Sequence, residues 1–106
     1  MTRGEVWWAR LLPPRGRRPV VLLSRNQAYQ VRRSVTVAPL TTRIRGLPVE
    51  VVLDTSDGVG QRCVINVDDI VTISMSDLDR PITTLSTEKL RAVRTAITYA
   101  LALGDP

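Results

Sequence analysis

Histidine is absent from this 106-residue chain, and its absence removes a large share of enzyme chemistry. No Ser-His or Cys-His nucleophile, no imidazole-bound zinc and no histidine general base can operate. Cysteine occurs once, at Cys63, so no intramolecular disulfide and no thiolate metal cluster can form. Long apolar runs are missing too. The longest are five or six residues, far short of the roughly 20 needed for a membrane-spanning helix. Met1 to Glu5 runs straight into a strand-like segment, so no signal peptide is expected and a reduced cytoplasm is the expected setting.

Lysine is nearly absent, at Lys89 alone, and arginine carries the positive charge. Its distribution is lopsided. Residues 1–49 hold ten arginines against one acid, Glu5, a net of +9, while residues 50–106 carry a net of −4. A basic half with an acidic back is the pattern of a nucleic-acid face. The competing explanation is arginine scattered by coding composition, which accounts for the number but not for the asymmetry. Two acids at Asp68 and Asp69 read as a turn, since a pair without a third ligand makes a poor metal cage.

At 43% apolar residues the chain is long enough for one domain, spanning 1–106, with a modest core. A chain of this size buries a little under ~70% of its unfolded surface. Strands are expected at 5–11, at 19–24 after an arginine loop (15–18), at 34–40 with Thr41 just beyond, and at 49–53. Two more follow at 62–66 and 70–73, then a helical turn at 76–79 stopped by Pro81. Arg25 to Tyr29 forms a polar turn or short helical piece. Ser86 is the expected N-cap of a closing helix, with Glu88 in its first turn and Gly104 as its stop. Leu90, Val93, Ile97 and Leu101 form its apolar stripe, with Ala96 and Ala100 alongside. Many short strands and one terminal helix point to a small barrel or half-barrel with the helix packed on it. Trp7 and Trp8 face opposite sides of their strand. Trp7 is assigned to the core, whereas Trp8 is left open between rim, interface and base stacking. Cys63 is read as a small core residue rather than a reactive thiol.

Several segments together resemble one family. They are Arg3-Gly4-Glu5-Val6-Trp7, the run from Arg18-Pro19 to Arg25-Asn26, and Val37-Ala38-Pro39-Leu40-Thr41-Thr42. Leu47 to Val51, Cys63 to Asn66 with Asp69-Ile70, and the closing helix follow in order. The chain resembles the MazF/PemK toxin endoribonucleases of bacterial toxin–antitoxin systems. The resemblance implies an α+β, mostly β fold: an SH3-like small β-barrel with a C-terminal α-helix, assembled as a homodimer. It implies cleavage of single-stranded RNA at short sequences without metal or other cofactor, and silencing by a MazE-like antitoxin. It also implies that Arg18 and Thr41 are the catalytic pair, matching the Arg-Pro-Val and Pro-Leu-Thr motifs. Arg15, Arg17, Arg43 and Arg45 are expected to contact phosphates as a group, and Ser24 and Asn26 either line the RNA groove or serve turn chemistry, which explains both about as well. The loop before Arg18 lacks the carboxylate found in many relatives, and Asp69-Ile70-Val71 replaces their Gln-Ile-Arg, so the general base has no assignment. Two other classes remain open: a CcdB-like gyrase poison, although the chain ends without that group's tryptophan-containing tail, and a non-catalytic RNA-binding barrel.

Overall fold

β-Branched runs set the architecture, because Val, Ile and Thr pack well on a pleated surface. The computed structural model describes residues 1–104; Asp105 and Pro106, part of the tail expectation, lie outside them. The strands are β1 (Glu5–Arg10), β2 (Arg17–Leu22), β3 (Ser34–Thr41), β4 (Glu50–Leu53), β5 (Cys63–Asn66), β6 (Val71–Ser74) and β7 (Leu78–Thr84). The helices are α1 (Ala28–Val31), a single turn, and α2 (Thr87–Ala100). The sheet is antiparallel with order β4-β5-β3-β2-β1-β7, and β6 joins it through β3. β3 is the hub: one edge meets β2, while the other pairs first with β6 and then with β5.

The path ends at β4 and β7, which do not pair, so the expected small barrel stays open there. The gap is stitched by Thr83 Oγ1, which donates to the Asp57 carbonyl at 3.2 Å. Gly58, at φ +92°, passes so close to Thr83 that any Cβ would collide with it. On the free edge of β4, Lys89 Nζ donates to the Val52 carbonyl at 2.7 Å and lies 3.8 Å from Asp57 Oδ2. The lone lysine thereby covers a strand edge and docks α2 on it.

Alternation along the strands gives two cores. Val6, Val21, Leu53, Ile65 and Val93 lie in one, beneath α2; Ala9, Val20, Leu22, Val35 and Val37 lie in the other. Fully burying one such branched side chain contributes about 1.5–3 kcal/mol, whereas an exposed ion pair contributes ~0–1 kcal/mol. The apolar faces, not the surface ion pairs, therefore hold the fold.

Four expectations need correction. Arg17 and Arg18 are not loop residues, since Arg10↔Arg17 and Ala9↔Arg18 are paired and Leu11 N–H donates to the Gly16 carbonyl, tightening the hairpin. Thr41 is the last residue of β3, paired with Val64. Pro81 does not stop a helical turn; it lies inside β7, the missed strand. That is an edge strand with register shifts against β1, where a missing N–H costs no ladder bond. Finally, α2 starts on Ser86 as expected, whose Oγ accepts the Lys89 N–H, but it ends at Ala100. The left-handed residue behind its end is Ala102 (φ 52°), not Gly104. The Leu103 N–H closes back on the Thr98 carbonyl at 3.0 Å, a Schellman-type stop. Leu101 consequently leaves the stripe and is exposed.

Candidate nucleic-acid interface

The hydrogen-bonded ladder of β2 and β3 ends at Val20↔Pro39. Pro19 follows on one strand and Pro39 stands on the other, and neither has an N–H with which to continue the ladder. The strands part there, and Leu40 and Thr41 turn their pairing to β5. Continuing the register by two residues brings Arg18 opposite Thr41. Both line one open cleft of about 140 Å³, together with Arg15, Arg43 and Arg45. Its lining is mainly charged, which suits a phosphate group.

Local bonds aim these groups. Arg18 is half-buried, and its Nε donates to the Arg15 carbonyl at 3.2 Å, which leaves both terminal nitrogens of the fork free. Thr41 Oγ1 accepts the Arg43 N–H at 3.2 Å, so the hydroxyl proton remains available to another acceptor. Two carboxylates share the cleft with the four arginines, leaving a net charge of +2. The Glu50 carboxylate accepts backbone N–H groups of Arg45 (3.0 Å), Gly46 (2.8 Å) and Leu47 (3.3 Å). It is thus the anchor of the loop carrying Arg43 and Arg45. Asp69 forms one ion pair among the described residues, with Arg15 Nη2 at 3.5 Å.

Sequence reasoning missed both acids. Asp69 was expected as part of a corner and as the residue that replaces the glutamine of many relatives, with no role in the cleft, and that corner is a 3₁₀ turn (Val67–Asp69) capped by Asn66 Oδ1, which accepts the Asp68 N–H. Spacing alone does not bring the two together; the Glu50↔Asn66 pairing of β4 with β5 and the turn after β5 carry them to the cleft only after folding.

Three expected RNA contacts lie elsewhere. Arg17, next along β2, faces the opposite side of the sheet from Arg18. It stacks over Trp8, 4.3 Å from the ring centroid, and pairs with Asp79 Oδ2 at 3.1 Å. Ser24 Oγ accepts the Thr36 N–H at 2.8 Å, and Asn26 Oδ1 accepts the Arg3 N–H at 2.8 Å. Both therefore brace the connection beyond the far end of β2. Trp7 packs on the second core and donates from Nε1 to Glu5 at 2.8 Å. Trp8, with Pro19, Leu40, Cys63 and Ile82, lines an apolar groove of about 330 Å³ that adjoins the arginine cleft and shares Thr41 with it. Burial, and then the charges of Asp57 and Asp54, push the Cys63 thiol up, in keeping with a packing role. Among the described residues no three His, Cys, Asp or Glu side chains cluster as metal ligands, and no helix is long and apolar enough to cross a membrane.

The family model described as PemK-like, MazF-like toxin of type II toxin-antitoxin system matches residues 2–101. The chain belongs to the PemK/MazF toxin family. It is 43% identical over 100 residues to Probable endoribonuclease MazF5 of Mycobacterium tuberculosis, covering 93% of this chain and 91% of that protein. It is 40% identical to Endoribonuclease MazF3 of the same species, over 81% and 84% of the two chains. Among solved structures it superposes on Mycobacterium tuberculosis toxin MazF-mt6 with TM-score 0.86 at 36% identity, covering 92% and 96% of the chains. An endoribonuclease in complex with its cognate antitoxin from a mycobacterial species matches with TM-score 0.88 at 26% identity, covering 100% and 99%. The open sheet with its C-terminal helix is therefore the MazF toxin fold.

Proposed function

We propose that this PemK/MazF protein is a metal-independent endoribonuclease toxin that cleaves single-stranded RNA at short sequences. Arg18 and Thr41 meeting in one arginine-lined cleft is the observation that carries this reading. In such a reaction the substrate's own 2′-hydroxyl attacks the adjacent phosphorus. A new P–O bond forms, the bond to the 5′-oxygen breaks, and a 2′,3′-cyclic phosphate and a 5′-hydroxyl result.

The free guanidinium nitrogens of Arg18 clamp the non-bridging oxygens as the phosphorane gains its second negative charge. The Thr41 hydroxyl donates to the same oxygens. Glu50 Oε1 is committed to three backbone donors of its loop, whereas Asp69 makes only the Arg15 ion pair, so Asp69 is the carboxylate assigned to take the 2′-hydroxyl proton. The departing 5′-oxygen takes its proton from water. Arg15, Arg43 and Arg45 hold the flanking phosphates. A homodimer and an acidic, partly apolar antitoxin segment that covers the arginine cleft complete the reading, the latter supported by the antitoxin complex of the mycobacterial neighbour.

The test is cleavage of RNA by the purified protein in EDTA. Discrete fragments with cyclic-phosphate ends are expected, and a 2′-deoxy nucleotide at the cut position must abolish that cut. Retention of intact RNA, or inhibition of gyrase without RNA cleavage, overturns the proposal.

A further inference from the structure

Of the eight arginines outside the cleft without an assigned role, Arg3, Arg25, Arg32 and Arg33 lie on one stretch of the fold. They cluster at the opposite end of β2. Asn26 Oδ1 accepts the Arg3 N–H at 2.8 Å and so ties Arg3 to the segment after β2. That segment continues from Arg25 through α1 to Arg32, whose N–H donates to the Ala28 carbonyl, and Arg33 follows, its carbonyl accepting the Met75 N–H. All four side chains are exposed, and none forms an ion pair among the described residues. Arg32 makes only a 3.1 Å contact to Ser34 Oγ. The adjacent acid, Glu5, is already occupied by Thr2 and Trp7. Asp79 matches Arg10 and Arg17, whereas Arg62, Arg80, Arg91 and Arg94 are exposed and unpaired among the described residues but lie apart, before β5, in β7 and along α2. Here four like charges crowd one short connection without compensation.

β2 has six residues, so this cluster stands about 17 Å or more from the Arg18 end. That exceeds the ~8 Å screening length at physiological salt. The cluster cannot tune the cleft through solvent; it acts only on what touches it. A single-stranded RNA leaving the cleft carries a charge at every nucleotide and presents phosphates at this distance. Guanidinium forks match them in pairs of hydrogen bonds.

We infer that Arg3, Arg25, Arg32 and Arg33 form a second RNA-binding site that grips the backbone outside the cleaved segment and favours long substrates. The inference rests on the RNA-cleaving reading above. It makes length, not only sequence, a determinant of which RNAs are attacked.

The test compares the full-length protein with the combined variant R3Q/R25Q/R32Q/R33Q. The probes are fluorescent, fully 2′-O-methylated RNAs of about 6 and about 24 nucleotides. These cannot be cleaved, so binding is read apart from catalysis. The expected loss for the longer RNA is at least about tenfold, with the salt slope reduced by about 2–3, at ~0.7 per phosphate lost. Affinity for the short RNA and the melting temperature should stay at wild-type values. Unchanged long-RNA binding overturns the inference, as does equal loss at both lengths. Loss confined to a polyglutamate probe also overturns it and would assign the patch to an acidic protein segment. Failure of the wild-type protein to bind either RNA would instead strike the RNA reading itself.

Discussion

Arg18 and Thr41 stand opposite each other two residues past the last hydrogen-bonded pair of β2 and β3, where Pro19 and Pro39 let the strands part. A rigid ladder thus ends in a gap that holds the two groups at a fixed separation. Arg18→Ala and Thr41→Ala are each expected to lower the cleavage rate by roughly 10²–10³, the usual loss of one electrostatic donor to a developing oxyanion. Arg18→Lys should recover little, because a point charge cannot replace a fork whose Nε is committed to the Arg15 carbonyl. Single-turnover cleavage in EDTA checks the rates. Unaltered melting temperatures show that only chemistry was lost.

The Glu50 carboxylate supports three backbone N–H groups of the arginine loop, including that of Gly46 at φ +73°. Glu50→Ala leaves these donors to water and frees the loop. The bonds are solvent-exposed, so the expected cost is about 1–2 kcal/mol, or several degrees of melting temperature. The larger effect falls on substrate binding, since Arg43 and Arg45 lose their mounting: KM should rise about tenfold while kcat on saturating RNA changes little. A fall in kcat with KM unchanged would place Glu50 in the chemistry.

Strand positions were legible because β-branched runs carry their own signal, as in Ser34–Thr41 and Glu50–Leu53. Pro81 misled for a physical reason: proline forbids a ladder donor, and only the tertiary position of β7 at an edge makes that harmless. Arg18 and Thr41 were nameable through the family likeness, but their opposition follows from strand register. Arg17 shows the limit. Charge alone could not separate it from Arg18, yet one step along a strand reverses the face and gives it to Trp8 and Asp79. Asp69 stood out only as a departure from the family pattern, and Glu50 as an ordinary strand-end acid; that the two share the cleft follows from the fold.

The end of α2 offers a stability test free of the active site. Ala102 adopts φ 52°, where its Cβ crowds the following carbonyl at a cost of roughly 1 kcal/mol. Ala102→Gly should therefore raise stability by up to about 1 kcal/mol, and Ala102→Val should lower it by at least as much. Denaturant melts at constant slope measure both. A destabilised glycine variant would mean that the helix end does not hold this conformation in solution.

Tyr29 predicts an alkaline pH dependence. Burial, followed by the negative charge of Glu5, pushes its phenol up to about 12. The positive charge of Arg3, and then the nearby Ser24, offset this only in part, and no hydrogen bond of sound geometry reaches the buried Oη. In the unfolded chain the phenol titrates near ~10, so the folded state holds its proton more tightly. The resulting stabilisation is complete below about pH 10 and disappears as pH rises through about 12. Its size is ~1 kcal/mol once the partly solvated setting is discounted. Tyr29→Phe removes the titrating group together with an unpartnered polar atom. At pH 7 it is expected to be neutral or slightly stabilising, since no hydrogen bond is lost. Between pH 10 and 12 its stability curve should be flatter than that of the parent protein, measured by urea unfolding at each pH. Parallel curves for the two proteins would show that this phenol titrates alike in the folded and unfolded chains.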